Sequence, residues 1–72
     1  MKLYTKQNCP NCMIIKSLLT KGGLIDQFDI IEDVEEVRAA AKTLDINGVL
    51  PFAEIGGQGY NLPQLKGWID TQ

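Results

Sequence analysis

The stretch that decides the fold is residues 2–19, KLYTKQNCPNCMIIKSLL. A short run with apolar residues, 2–5, leads through a polar loop into Cys9-Pro10-Asn11-Cys12. Pro10 stands where the first position of a helix tolerates a missing N–H group. Beyond it, isoleucines and leucines recur at helical spacing as far as Leu19. The stretch therefore predicts a strand over 2–5 and a helix that opens at the cysteine pair.

The next elements follow outward from this helix. Gly22-Gly23 ends it, and residues 28–31 predict a second strand. Asp33, followed three residues later by Glu36, has the form of a capping box that starts a second helix. Asn47-Gly48 breaks that helix. Its apolar positions mark one face and are Val34, Val37, Ala41 and Leu44.

The last part of the chain predicts a hairpin and a final helix. Residues 49–55 read as a third strand, with Pro51 near its start because proline has no N–H group for a ladder. Gly56-Gly57 predicts a tight turn into a short antiparallel strand over 58–60. Asn61 can cap the final helix. The residues of that helix that we expect to face the core are Leu62, Leu65, Trp68 and Ile69.

The element order predicts an α/β fold. The order is strand, helix, strand, helix, hairpin, helix. The first β-α-β unit implies parallel strands joined by a right-handed crossover. The closing hairpin adds antiparallel strands, so we expect a mixed sheet with helices on both faces. With 72 residues, of which 44% are hydrophobic and 22% charged, a single domain over 1–72 is expected.

Charge and composition exclude several classes of function. The net charge of −2 gives no basic excess for a polyphosphate backbone, so nucleic-acid binding is not expected. No apolar run reaches the roughly 20 residues needed to span a bilayer, and no apolar leader follows Met1. We therefore expect a cytoplasmic protein without membrane contact. Histidine is absent, which removes His-based metal sites and His general bases.

The two cysteines indicate redox chemistry. A bridge between Cys9 and Cys12 closes so small a loop that it would add only about 2 kcal/mol of stability, which makes it a poor staple. At the start of a helix, the Cys9 sulfur faces free N–H groups and the positive end of the helix dipole, which favour thiolate. The thiolate is the form that attacks a disulfide. Cys12, one turn on, can then resolve the mixed disulfide.

Three other interpretations of the cysteine pair stay open. A closed zinc site needs four ligands, commonly two CxxC pairs, whereas this chain has one pair. Two chains could pool their cysteines around a metal and act as a non-catalytic binding module. The pair could also be purely structural. None of the three requires the CxxC motif to open a helix directly after the first strand. That placement is typical of thiol redox proteins and therefore favours the redox interpretation.

The motifs resemble those of small dithiol glutaredoxins and related redoxins of the thioredoxin-like superfamily. Residues 5–12, TKQNCPNC, are similar to the family's active-site opening. Residues 49–52, VLPF, fall where the family has its cis-proline segment, and Gly59-Tyr60-Asn61 resembles its Gly-x-Asp segment. The resemblance implies sheet order 2-1-3-4 and thiol–disulfide exchange as an oxidoreductase, with no bound cofactor or metal and with glutathione as reductant or co-substrate. The protein partners would be disulfide substrates, and a redoxin this small would be a monomer.

The resemblance also implies a role for each site residue. Cys9 would be the exposed nucleophile and Cys12 the resolving thiol. Pro51 would be cis, leave the backbone of Leu50 free to pair with an extended substrate, and share one groove with Cys9 and Tyr60. The predicted substrate-binding residues are Lys6, Pro10, Asn11, Arg38, Leu50, Pro51, Tyr60 and Asn61. Lys6 and Arg38 would meet a substrate carboxylate, with plain solvated surface charges as the alternative.

Departures from the family pattern leave the electron source open. Asn11 replaces an aromatic residue, Val49 a threonine, and Asn61 an aspartate that would pair with the α-ammonium of glutathione. Gln58 and Leu62 depart as well. The alternative is a glutaredoxin-like donor of electrons to ribonucleotide reductase, recharged by thioredoxin reductase. The dithiol chemistry is the same in both cases.

Overall fold

The computed structural model of the protein describes residues 1–46 and 49–72, so the predicted helix break at Asn47-Gly48 lies outside the described residues. The strands are β1 (Lys2–Tyr4), β2 (Asp29–Ile31), β3 (Phe52–Ile55) and β4 (Gln58–Tyr60). The α-helices are α1 (Pro10–Lys21), α2 (Val34–Thr43) and α3 (Leu62–Asp70), and a 3₁₀ helix covers Ile25–Gln27. The predicted order β-α-β-α-β-β-α is confirmed.

The sheet is mixed, and its strand order is β2-β1-β3-β4, as predicted. β1 pairs in parallel with β2 and antiparallel with β3, and β4 is antiparallel to β3. Because β3 runs against β1, the residues before Phe52 return to the edge of the sheet where β1 and β2 end. The first turns of α1 and α2 begin at the same edge, since each helix follows one of those two strands.

The core has two halves, one on each face of the sheet. Neighbouring strand residues point to opposite faces, so Leu3 and Ala53 pack with α1 and α3, whereas Tyr4 and Phe52 pack with α2. The Tyr4 and Phe52 rings stack with their centroids 4.8 Å apart. This arrangement confirms helices on both faces.

The predicted core face of α3 is confirmed. Leu65 is fully buried, and Leu62, Trp68 and Ile69 pack against the same core half. The Trp68 ring meets Phe28 edge-on, with a centroid distance of 5.8 Å. This contact ties the last helix to the segment that leads into β2.

Capping residues fix where α2 and α3 begin. The Asp33 carboxylate accepts hydrogen bonds from the backbone N–H groups of Glu35 and Glu36, at 2.9 and 3.1 Å. At α3, Asn61 and Gln64 form a reciprocal capping box, with both bonds at 3.0 Å. Such caps stabilise a protein by about 1 kcal/mol each, and the sequence predicts both of them.

The structure corrects the boundaries of three strands. β3 begins at Phe52 and not at 49, because the Pro51 nitrogen carries no hydrogen for the ladder. β2 begins at Asp29 and not at Phe28, whose N–H closes the 3₁₀ turn on the Ile25 carbonyl at 3.1 Å. β1 ends at Tyr4, although the N–H of Thr5 still donates to Ile31 at 2.9 Å.

One residue of the predicted α2 core face is exposed. Val34 is 64% exposed, because it occupies the first position of the helix at the edge where β1 and β2 end. Val37, Ala41 and Leu44 pack against the Tyr4–Phe52 half of the core, as predicted. In the described part of the chain, no helix has the length and apolar character needed to cross a membrane.

Candidate functional site

The cysteine pair forms the start of α1. Cys9 is the N-cap residue, with extended backbone angles of φ −111° and ψ 107°, and Pro10 follows at the first helical position. Cys9 and Cys12 are joined by a disulfide, with their Cα atoms 5.2 Å apart. The predicted placement of a CxxC motif at a helix start is therefore confirmed.

Backbone N–H groups converge on Cys9. The N–H of Cys12 donates to the Cys9 Sγ at 3.2 Å, and the N–H of Met13 donates to the Cys9 carbonyl at 3.1 Å. Asn8, just before the cap, has a φ of 56°, a left-handed conformation that asparagine tolerates better than most residues. The turn before the helix thus aims the Cys9 sulfur at the first amides of α1.

The expected exposure of Cys9 needs correction. In the disulfide-bonded structure Cys9 is 5% exposed and Cys12 is 1% exposed. The helix start draws both sulfurs inward, because the Sγ of Cys9 caps the backbone instead of extending into solvent. Cys9 nevertheless lines an open depression of about 590 Å³, from which a reactant can approach it.

The depression at Cys9, called here the cysteine depression, brings together several predicted site residues. Its lining consists of Lys6, Asn8, Cys9, Pro10, Asn11, Val49 and Leu50. Four predicted substrate-binding residues are therefore in one place with the nucleophile, although Leu50 is 41 positions from Cys9 in the chain. The antiparallel course of β3 brings Leu50 to the edge where β1 ends.

A second, smaller hollow of about 250 Å³ adjoins the first and is called here the cationic recess. Its lining consists of Thr5, Lys6, Glu32, Val34, Val37, Arg38 and Leu50. Lys6 and Leu50 line both hollows, so the two are neighbours. Arg38 thus lies on the same side of the molecule as Cys9, one hollow away from it.

The predicted cis proline is present. The Leu50–Pro51 peptide bond is cis, and Pro51 is buried. Leu50 lines both hollows, whereas Pro51 supports the segment from below the surface.

The groove that Cys9, Pro51 and Tyr60 are predicted to share stays a prediction, because Tyr60 lines neither of the two hollows described above. Tyr60 pairs with Ala53, shares its face of the sheet, and packs against the α1–α3 half of the core. Asn61 caps α3, and its Oδ1 accepts a hydrogen bond from the backbone N–H of Gln64. Neither Tyr60 nor Asn61 is among the described residues that line the cysteine depression or the cationic recess.

Sequence reasoning missed Thr5 and Glu32. The buried Thr5 hydroxyl donates to Glu32 Oε2 at 3.5 Å, and Lys16 Nζ lies 3.7 Å from the same oxygen. The one sequence signal that could have indicated Glu32 is its position directly after β2, at the end of a strand that lies beside the cysteine-bearing helix.

Two further features bear on the chemistry. A separate hollow of about 420 Å³ lies between α2 and the sheet, lined in part by Lys2, Glu36 and Glu54, and holds neither sulfur. Within residues 1–46 and 49–72, no three His, Cys, Asp or Glu side chains are grouped to hold a metal ion.

Comparisons with known protein families, with curated proteins and with solved structures yield no match to this chain.

Proposed function

We propose that the protein is a small dithiol redox protein of the glutaredoxin type, which performs thiol–disulfide exchange through Cys9 and Cys12. The observation that carries the proposal is the Cys9–Cys12 pair at the N-terminus of α1, where an amide donates to the Cys9 sulfur and an open depression leads to it. The mixed sheet of order 2-1-3-4 with three helices in the described chain is compatible with a thioredoxin-like fold.

The first step is attack by the Cys9 thiolate on a substrate disulfide. A new Sγ–S bond forms as the substrate's S–S bond breaks, and the leaving thiolate takes a proton from solvent. In the reduced protein, the Cys12 amide and the positive end of the helix dipole would stabilise negative charge on the Cys9 sulfur and so favour the thiolate. The site is therefore suited to present a nucleophile at neutral pH.

The second step regenerates an internal disulfide. The Cys12 thiolate attacks the Cys9 sulfur of the mixed disulfide, the second substrate thiol leaves, and the Cys9–Cys12 bond forms. The substrate has then gained two electrons and two protons, and the protein has lost them. Two glutathione molecules would return them and leave as oxidised glutathione.

The residues around the depression would position the substrate. Lys6 would attract a carboxylate, and Pro10 and Asn11 would shape the approach to Cys9 and tune the potential of the pair. Leu50 would offer its backbone to an extended substrate beside Cys9. We place this chemistry in a reducing cytoplasm, where a dithiol is kept ready for exchange.

A second candidate, a donor to ribonucleotide reductase recharged by thioredoxin reductase, has one observation in its favour. A glutathione site of the expected kind would use Asn61, yet the Asn61 amide oxygen is already engaged in the α3 cap. Any glutathione contact at Asn61 would therefore be weaker than the resemblance implies.

A coupled assay tests the function and separates the two electron sources. NADPH is supplied either with glutathione and glutathione reductase or with thioredoxin reductase alone, and turnover of bis(2-hydroxyethyl) disulfide is followed. Turnover in either system supports the function, and turnover only in the second assigns the source to thioredoxin reductase. Stoichiometric zinc with no turnover in either system would instead favour a metal-bridged module.

Cysteine variants assign the two roles. Cys9→Ser should abolish all exchange because the nucleophile is lost. Cys12→Ser should still remove glutathione from a glutathionylated peptide, which needs one thiol, while reduction of protein disulfides stops. Activity retained by Cys9→Ser would show that the nucleophile is wrongly assigned.

A further inference from the structure

We infer that the Cys9 site takes a protein segment that carries an acidic and an apolar side chain near its disulfide-bonded cysteine, in preference to glutathione. The inference rests on the proposed exchange function and names its substrate class. In the exchange, Cys9 Sγ bonds to the segment's cysteine sulfur while the segment's S–S bond breaks, and the leaving thiolate is protonated by solvent.

Two cations without carboxylate partners line the cationic recess. Within the described chain, Lys6 and Arg38 have no salt-bridge partner. The recess also contains Glu32, but its Oε2 is shared between Lys16 Nζ at 3.7 Å and the Thr5 hydroxyl at 3.5 Å. The recess therefore presents unneutralised positive charge one hollow away from Cys9, which favours an anionic group on the substrate.

Apolar surface surrounds these cations. Val37 is buried and Leu50 half-buried in the recess wall, and Val34 is exposed at its rim. Val49 stands exposed in the cysteine depression, and Met13, 68% exposed, follows Cys9 by one helical turn on the same side of α1. Clustered exposed apolar side chains mark a surface that meets an apolar partner.

The combination of charge and apolar surface distinguishes the two substrate classes. Glutathione can supply a carboxylate, but it has no apolar side chain with which to cover Val34 and Val49. A protein segment can supply both, with the acidic side chain toward Lys6 and Arg38. Of the large apolar side chains that are strongly exposed in the described chain, Val34 and Val49 line the two hollows, whereas Met13, Ile14 and Ile30 line neither.

The test compares peptides that differ only beside their cysteine. Each peptide is a mixed disulfide with 5-thio-2-nitrobenzoate, whose release is coloured, and carries Glu or Lys together with Leu or Ser. The corresponding disulfide of glutathione is the fifth substrate. The reduced protein should favour Glu over Lys by about fivefold at low salt, and less at high salt. It should react fastest with the peptide that contains Glu and Leu.

Variants of the surface tie the preference to its residues. The double variant Lys6→Gln/Arg38→Gln should bring the Glu-to-Lys rate ratio close to one, whereas Lys66→Gln, an exposed lysine on α3, should leave it unchanged. Val34→Ser should lower the Leu-to-Ser ratio, and Ile30→Ser is its control on β2. Urea unfolding of each variant verifies that the fold is kept.

The outcomes separate the inference from the function beneath it. Equal rates for all substrates, or the fastest rate with glutathione, would overturn the inference while exchange itself stands. A peptide preference that survives the Lys6/Arg38 and Val34 variants would overturn it too. If none of the five disulfides is reduced, the proposed function fails and the inference falls with it.

Discussion

Replacing Gly59 with alanine should destabilise the protein, whereas the same replacement at Gly67 should stabilise it. A Cβ atom at Gly59 would lie 2.9 Å from the Cβ of Leu44, and 3.3 Å from both the Cγ2 of Ile46 and the Leu44 carbonyl oxygen. Carbon atoms in good contact are about 3.5–4.0 Å apart, so the new methyl group overlaps its neighbours.

Leu44 has little freedom to move away from that methyl group. It is the C-cap of α2, its N–H donates to the Ala40 carbonyl at 2.8 Å, and its side chain packs into the Tyr4–Phe52 half of the core. Overpacking of this kind costs about 1–3 kcal/mol. Alanine also lowers the conformational entropy of the unfolded chain, which stabilises the folded protein by about 0.4–1 kcal/mol. We therefore expect a net loss of stability of about 1–2 kcal/mol.

Gly67 provides the matched control. It lies inside α3, and apart from its chain neighbours and the backbone of its own helix, no atom of the described residues stands within 4 Å of the position that its Cβ would take. Alanine there should add about 0.5–1 kcal/mol, the usual gain in a helix interior.

Urea unfolding of the disulfide-bonded protein measures both changes, with the slope against urea expected to stay the same. A Gly59→Ala variant as stable as the parent, beside a stabilised Gly67→Ala, would refute the close packing of β4 against the end of α2. Exchange activity of the folded Gly59→Ala protein should be kept, because the close contact is with Leu44 and Ile46 and not with the sulfurs.

Three further predictions concern the site and the core. In a Cys12→Ser protein, the rate at which iodoacetamide alkylates Cys9 should reach half its maximum below pH 8.5, the value near which a free thiol titrates. A midpoint at or above pH 8.5 would mean that the start of α1 does not activate the Cys9 sulfur. Leu19→Ala should cost about 2–5 kcal/mol in urea unfolding, since Leu19 is fully buried, and a loss below 1 kcal/mol would contradict its place in the core. Asn61→Ala should cost about 1 kcal/mol through the lost α3 cap. An unchanged ratio between turnover with glutathione and glutathione reductase and turnover with thioredoxin reductase would show that Asn61 does not select the electron source.

Local signals in the sequence predicted the helices well. Asp33 and Asn61 each place a side-chain acceptor beside amides that have no partner in the helix, so the start of each helix depends on only a few residues. The Cys9-Pro10 start of α1 is local in the same way. Parallel pairing of β1 with β2 also followed, because an intervening helix of α1's length leaves the two strands parallel in one sheet.

Features that depend on how distant segments meet were not predictable. The strands have three or four residues, too few for alternation to fix their ends or to assign Tyr60 to a face. The face of Tyr60 follows from its pairing with Ala53, and the burial of Cys9 follows from its inward role as a cap. The recess formed by Lys6 and Arg38 exists only because α2 begins beside the end of β1.

The site separates the groups that would react from those that would select the partner. Cys9 and Cys12 are buried and held by the backbone of α1. Pro51 is also buried, next to Leu50, which lines the cysteine depression. Val34 and Arg38, by contrast, are exposed on α2, where substitutions usually change stability by less than 0.5 kcal/mol. Partner choice can therefore be altered through α2 with little change to the fold or to the sulfurs. The peptide ratios of the Val34 and Lys6/Arg38 variants should accordingly move while their rates with bis(2-hydroxyethyl) disulfide change much less, because that small neutral disulfide has neither a carboxylate nor a large apolar group.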